Sequence, residues 1–283
     1  MNSIRKIGQI LKAMPVIEGA GVHLKRVFGH PEIPHFDPFL LLDDFHSRNP
    51  NDYMAGFPWH PHRGIETITY MIHGAVSHRD SLGNSGVIQG GDIQWMTAGS
   101  GIIHEEMPRR AENELWGFQL WANLPASHKM MAPRYRNIRE KEIPVVSPQN
   151  NVTIKIICGE VDGIKGPVQK IITDPEYLDI TVGPETELDL SVKKDHTVFA
   201  YIIKGKGYFD KQCQQLITSE ELALFEPGEI IRVKTIEEGV RFLLISGKPI
   251  QEPIAWRGPI VMNHQEELVT AFQDYQNGTF SKG

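Results

Sequence analysis

Two stretches of this chain read alike. Thr67-Ile68-Thr69-Tyr70-Met71-Ile72-His73-Gly74 resembles Thr197-Val198-Phe199-Ala200-Tyr201-Ile202-Ile203-Lys204-Gly205. Downstream of each, Val87-Ile88-Gln89-Gly90-Gly91-Asp92-Ile93 resembles Ala223-Leu224-Phe225-Glu226-Pro227-Gly228-Glu229-Ile230. Order and rough spacing match, which predicts two related domains in tandem. In the first copy Ile68, Tyr70 and Ile72 share one face of an extended segment, so the unit is a strand and not a helix. Most of the remaining chain is also short apolar runs punctuated by Gly, Pro, Asn and Asp, the pattern of an all-β sandwich or barrel. The charged, proline-bearing stretch from Pro133 to Pro148 carries the boundary, dividing residues 1–135 from 136–283.

Just before the first copy stands Phe57-Pro58-Trp59-His60-Pro61-His62-Arg63-Gly64. Residues i and i+2 of a strand point to the same face, so His60 and His62 can aim both rings at one point. Pro61 lacks an N–H, which puts the pair at a strand entrance or edge. Alone, such a pair also fits two solvated histidines in a turn. A second pair follows a glycine-rich turn: His104 and Glu106, in Gly99-Ser100-Gly101-Ile102-Ile103-His104-Glu105-Glu106. On adjacent strands the two pairs would supply three imidazoles and one carboxylate. That donor mixture suits Fe(II), Mn(II), Ni(II), Cu(II), Co(II) or Zn(II) better than Ca(II) or Mg(II).

The second half lacks these residue types. Matching Gly74 to Gly205 sets His60 and His62 opposite Ser191 and Lys193, and matching Gly91 to Gly228 sets His104 and Glu106 opposite Arg241 and Leu243. His196 stands alone and reads as structural. A metal is therefore expected in the N-terminal half only.

Composition excludes several alternatives. With 40% apolar and 23% charged residues the profile is that of a soluble globular chain. No run of about 18 apolar residues offers a spanning helix. The N-terminal MNSIRKIGQILKAM has no continuous apolar core like that of a secretory signal and reads as a first strand. Two cysteines, Cys158 and Cys213, fit buried thiols in a reducing cytoplasm. The net charge of −6 disfavours unaided nucleic-acid binding, which rests on phosphate neutralisation. The densest basic stretch, Lys129 to Glu142, carries its own acids and reads as a solvated linker. One helix closes the chain, with Asn263 as N-cap, Glu266 as its box partner, an apolar stripe of Leu268, Ala271, Phe272 and Tyr275, and Asn277-Gly278 as the stop.

Longer strings carry a resemblance. They are Phe36-Asp37-Pro38-Phe39-Leu40-Leu41-Leu42-Asp43-Asp44-Phe45, His60-Pro61-His62-Arg63-Gly64-Ile65-Glu66-Thr67, His78-Arg79-Asp80-Ser81, Gln94-Trp95-Met96-Thr97-Ala98-Gly99, Gln119-Leu120-Trp121-Ala122-Asn123-Leu124-Pro125 and Gly258-Pro259-Ile260-Val261-Met262-Asn263. Together they resemble the pirin family of two-cupin proteins. The resemblance implies two tandem jelly-roll-like cupin barrels, with one metal, usually Fe, in the first. By matching positions the ligands would be His60, His62, His104 and Glu106, with Glu66 as the alternative carboxylate of the general cupin pattern. Gln94, Asp80 and Arg63 are candidates to orient the ligands. Phe57, Trp59 and Met107 are candidates for an apolar mouth.

Two roles follow from the resemblance. One is a dioxygenase that opens flavonols such as quercetin with O2 and releases CO, with Glu106 as the catalytic base. The other is an iron-containing, redox-responsive regulatory protein that binds a transcription factor or metabolic enzyme. The composition is that expected of a cytoplasmic protein without membrane or direct nucleic-acid contact, and the resemblance suggests a monomer.

Overall fold

Short segments with alternating buried and exposed side chains make strands through most of the computed structural model, which describes residues 3–281. The strands fall into two units, one formed by Met14–Glu140 with Ile250–Gly283 and the other by Met1–Ala13 with Lys141–Pro249. A single cut between 135 and 136 does not describe these units. The middle boundary falls a few residues later, and the two chain ends are exchanged. The reason is pairing and ion solvation. Strand β1 (Ile7–Lys12) pairs antiparallel with Glu221–Phe225. Beside it, the buried Arg5 guanidinium donates to the carbonyls of Gly228, Glu226, Lys193, Lys194 and His196. A buried cation without such acceptors would be costly, so residues 3–13 are tied to the unit that follows them by over a hundred positions in sequence.

In the unit that holds the histidine pairs, one sheet has seven strands in the order β12-β9-β6-β11-β4-β3-β2. These are β2 (Met14–Glu18), β3 (Val22–Phe28), β4 (Phe39–Ser47), β6 (Ile65–His73), β9 (Ile93–Thr97), β11 (Leu115–Asn123) and β12 (Arg134–Ile138). The second has four, ordered β5-β10-β7-β8: β5 (Phe57–His62), β7 (Ala75–Asp80), β8 (Ser85–Gln89) and β10 (Ile102–Pro108). Register carries one row of side chains across the larger sheet, with Arg26 opposite Asp43, Asp43 opposite Gln119, Gln119 opposite Thr69, Thr69 opposite Gln94 and Gln94 opposite Asn137. Directly opposed residues share a face, so this row is polar from β12 to β3, and only on the edge strand β2 does it meet an apolar residue, Met14. The expected linker from Lys129 is corrected here. Lys129 is buried and donates to Gly64 O, Asn123 Oδ1 and Val261 O at 2.7–3.0 Å, and part of the remainder is strand β12.

The other unit repeats this plan. Its central strand Thr197–Tyr208 is flanked by Glu221–Phe225 and Val240–Gly247, as β6 is flanked by β9 and β11. Its outer slot, filled by β12 in the first unit, is filled by β1. The topology corrects one sequence alignment. Val240–Gly247 corresponds to β11, so the counterpart of β10 is Ile230–Lys234 and not the strand of Arg241 and Leu243. Ile230-Ile231-Arg232-Val233-Lys234 also contains no metal-ligand type. The barrel interior here is apolar, built from residues such as Ile156, Ile180, Ile202, Phe209, Phe225 and Phe242.

The C-terminal helix α1 (Gln265–Gln276) belongs to the first unit and packs Leu268 and Ala271 against Ile260, Met262 and Phe280. Its N-cap is His264 and its box partner is Glu267, one residue later than the pattern implied. The Glu267 carboxylate accepts from the backbone N–H of both Asn263 and His264 at 2.9 Å. The Asn263 side chain is occupied with Glu252 and Pro253 instead. The predicted stop holds, with Asn277 as C-cap and Gly278 at φ 72°. No helix among the described residues is long and apolar enough to cross a membrane.

Candidate metal centre

Strand pairing brings the two histidine pairs together. On β10 and β5, His104 lies directly opposite His60, and directly paired residues present their side chains on the same face. His60, His62 and His104 form a group whose ligand atoms all lie within 4.8 Å of one another. His60 Nε2 is 3.0 Å from His62 Nε2 and 2.9 Å from His104 Nε2.

Hydrogen bonds on the far side of two rings fix which nitrogen is free. His60 Nδ1 is 2.8 Å from Pro58 O, and His62 Nδ1 is 3.1 Å from Pro259 O. A carbonyl only accepts, so each Nδ1 carries the proton and each Nε2 keeps its lone pair when the ring is neutral. Burial disfavours the protonated rings. It lowers the pKa of all three below the usual histidine value, well below for His62 and His104, with neighbouring imidazoles as a second cause for those two. Unprotonated nitrogens 3 Å apart repel unless a cation lies between them. Metal–nitrogen bonds of about 2.0–2.1 Å at right angles would set the nitrogens about 3 Å apart. The three imidazoles therefore fit a transition metal ion.

The Pro259 contact depends on a close approach. Gly64, at φ +79°, follows the His60–His62 segment, and a Cβ there would collide with the Val261 carbonyl. The bare glycine lets Ile260–Met262 lie alongside, with Arg63 bridging to Ile260. The Pro58 and Pro259 carbonyls were not found from the sequence, because a backbone acceptor leaves no trace in side-chain identity. Pro259 sits in one of the quoted strings, which was the available signal. His104 Nδ1, by contrast, is buried with no hydrogen-bond partner among the described residues.

Glu106 is on the same strand face as His104, and its carboxylate is not part of the imidazole group. It faces the same cavity, accepts from Thr69 Oγ1 at 3.3 Å, and is pushed up to about 7 by burial, against the pull of that hydrogen bond. Glu66 lies elsewhere. It is buried against Thr97, whose hydroxyl donates to it at 2.6 Å, and it is neither in the imidazole group nor in the cavity lining.

The expected orienting residues have other partners. Arg63 donates to Ser100 O, Asp274 and Phe280 O, which secures the segment after α1. Asp80 caps a turn by accepting from Leu82 and Asn84. Gln94 donates to Asn137.

A cavity of about 580 Å³ opens beside His60, His62 and Glu106, within the range of small-molecule sites. Phe57 and Trp59 line it as expected. Met107 does not, because it neighbours Glu106 on the strand and so points to the opposite face. Trp121 and Trp256 also line it and were not singled out from the sequence. The Trp121 ring meets His62 edge to face at 5.0 Å. In the other unit, the His196 ring contacts Ser246 and Asp174 and belongs to no group of metal-ligand side chains among the described residues, and Cys158 is buried with its thiol donating to Pro175 O at 3.3 Å.

Comparison with known proteins adds family to geometry. Residues 21–122 match the model of the family described as Pirin, and residues 177–281 match the Pirin C-terminal cupin domain. A Pseudomonas aeruginosa protein named provisionally as a quercetin 2,3-dioxygenase is 40% identical over 286 residues, covering 99% of this chain and 100% of that protein. This chain belongs to the pirin family. A pirin-like protein of Caulobacter vibrioides is 41% identical, covering 98% of this chain and 99% of its own. A crystal structure of quercetin 2,3-dioxygenase from Acinetobacter baumannii superposes with a TM-score of 0.89 at 30% identity, covering 98% of this chain and 99% of that one. The two-cupin, mostly β architecture expected from the resemblance is thus the architecture of this pirin-family chain.

Proposed function

We propose that this protein is a metal-dependent dioxygenase that opens flavonols such as quercetin with O2 and releases CO. The observation that carries the reading is the convergence of three Nε2 atoms, two of them with lone pairs fixed by carbonyl anchors, at the edge of a cavity that also holds an acidic side chain. The assignment of His60, His62, His104 and Glu106 as ligands is part of the proposal. Fe(II) is the proposed ion, and the donor set also suits Mn, Ni, Cu, Co or Zn. Bound there, the ion would act as a Lewis acid on the flavonol hydroxyl and provide a redox-active centre for O2 chemistry.

The chain's own residues have separate tasks. Glu106 accepts the proton of the flavonol 3-hydroxyl, which leaves an electron-rich flavonolate. The single Thr69 hydroxyl proton is shared between Glu106 Oε1 at 3.3 Å and Gln119 Oε1 at 2.7 Å, which orients the Glu106 carboxylate. Phe57, Trp121 and Trp256 flank a flat aromatic ring and limit water beside the reacting carbons. The atoms balance: both oxygens of O2 enter the ester and carboxylate of the product, and the carbon that bore the hydroxyl leaves as CO.

The test is loss of quercetin absorbance under air and under argon, with metal content and CO measured on the same sample. Oxygen-dependent decay with stoichiometric CO supports the reading. Fully metallated protein that shows no such decay with Fe, Mn, Ni, Cu or Co defeats it in favour of the redox-responsive regulatory protein. Equal decay in metal-free protein is autoxidation and counts against catalysis.

A further inference from the structure

A buried ion pair stands in the wall of the same cavity. Arg26 on β3 donates through Nε and Nη2 to the two carboxylate oxygens of Asp43 on β4, both at 2.8 Å, and through Nη1 to Glu18 at 2.8 Å. Asp43 is only 5% exposed and lines the cavity with Arg26 and Glu18. Among the described residues Arg26 supplies its only side-chain hydrogen bonds. A carboxylate offers about four lone-pair sites, so each oxygen retains acceptor capacity that no protein donor fills. A buried pair of this kind contributes little stability that well-packed apolar residues could not supply. Stability is therefore a weak reason for its presence in a ligand-sized cavity.

Register sets its distance from the proposed chemistry. Asp43, Gln119 and Thr69 are successive members of the polar row, and Thr69 holds Glu106. Two strand spacings separate Asp43 from Thr69, about 10 Å. Between them, Gln119 spends its carbonyl oxygen on Thr69, and its amide NH2 has no protein acceptor among the described residues. An occupant lying along this row meets a base at one end, a free donor in the middle and a clamped carboxylate at the other end. One ring is too short to reach both ends. A fused bicycle with a pendant ring reaches both.

We infer that Asp43, clamped by Arg26, is a specificity residue that accepts hydrogen bonds from hydroxyls on the ring of a multi-ring phenol distal to the one held at Glu106. The inference rests on the flavonol reading of the site, and it narrows the substrate class to planar polyphenols hydroxylated at both ends.

Binding in the absence of O2 tests it apart from turnover. Metal-loaded protein under argon is titrated with quercetin, hydroxylated on every ring, and with 3-hydroxyflavone, which carries only the reacting hydroxyl. The readout is quenching of tryptophan fluorescence, for which Trp121 and Trp256 line the cavity. A hydrogen bond to a charged acceptor is expected to favour quercetin by about tenfold. The double variant Arg26→Met/Asp43→Leu removes both charges of the pair together, and Glu18, which loses its partner, is 41% exposed and stays solvated. It is expected to lose about tenfold in quercetin affinity while 3-hydroxyflavone changes by less than about threefold. Asp43→Asn, which keeps shape and one acceptor oxygen, is expected to fall between, and it decides the matter if the double variant does not fold. A folded variant that keeps the wild-type preference overturns the inference, as does wild-type protein that binds the two flavonols equally or binds neither. Wild type that prefers quercetin yet never turns it over would leave the inference standing and defeat the dioxygenase reading.

Discussion

His104→Ala separates metal binding from folding. The ring is fully buried, its Nε2 is 2.9 Å from His60 Nε2, and its Nδ1 is unpartnered among the described residues. In metal-free protein the substitution therefore removes one crowded ring nitrogen and one unsatisfied polar atom, and leaves a space continuous with the histidine cluster. The metal-free melting temperature should stay close to that of wild type. Metal affinity should collapse. Four-ligand structural zinc sites gain about 10–16 kcal/mol, or about 2.5–4 kcal/mol per ligand, so losing one imidazole from the upper part of that range should cost several hundredfold. Metal at a hundredfold excess over its Kd stabilises the native state by about 2.7 kcal/mol. For a unit of this size that raises Tm by about 5–10 °C. At the same metal concentration the variant falls below half-saturation, and its increment shrinks to less than about 0.4 kcal/mol, or under about 2 °C. Thermal scans of both proteins, with and without metal, measure the four values. A variant that keeps the wild-type metal increment refutes the reasoning and returns the ligand assignment to Glu66 or another group.

Glu106→Gln should lose turnover by more than it loses metal, because an amide can still offer an oxygen and cannot take the hydroxyl proton; kcat and bound metal are measured on one preparation. The same variant makes a pH prediction for metal-free protein. The folded-state pKa of Glu106 is raised from 4.5 to about 7 by burial, so its stabilising contribution is fully present below about 4.5 and is lost as pH rises through about 7. Relative to wild type, metal-free Glu106→Gln should gain up to about 3 kcal/mol above pH 7 and nothing near pH 4.5, read from urea unfolding at the two pH values. Arg5→Met should destabilise the unit containing Lys141–Pro249 by about 3 kcal/mol or more, since it strands several carbonyls in the interior; a shift in urea midpoint below about 0.5 kcal/mol would contradict the exchanged-end account. Phe242→Ala, in the apolar barrel interior, should cost about 3–5 kcal/mol with no change in metal content.

Much of the fold was legible because strand periodicity and an internal repeat survive in the residues themselves. The equivalence of β6 with Thr197–Tyr208 appears in both. What failed was non-local. The exchange of β1 depends on a pairing with residues more than two hundred positions away, and nothing in Ile7–Lys12 names its partner. The slipped second alignment came from matching glycines across loops of unequal length. The helix cap missed by one residue because Asn263 is a good N-cap type whose side chain was already engaged by Glu252. At the site, the imidazoles were legible from i, i+2 spacing, which projects side chains to one face. Their anchors, both backbone carbonyls, were not. Arg63, Asp80 and Gln94 looked like supports because they lie in the matching strings, yet each satisfies a local structural need. The row from Arg26 to Asn137 could be recognised only once the register was known.

The central claim is that one transition metal sits on His60, His62 and His104. Anomalous diffraction from crystals of iron-loaded protein, recorded across the iron absorption edge, tests it directly. The account predicts a single anomalous peak per chain, bonded to the Nε2 atoms of these three histidines and within reach of Glu106. A second peak, a peak beside His196, or iron held without these imidazoles would contradict it.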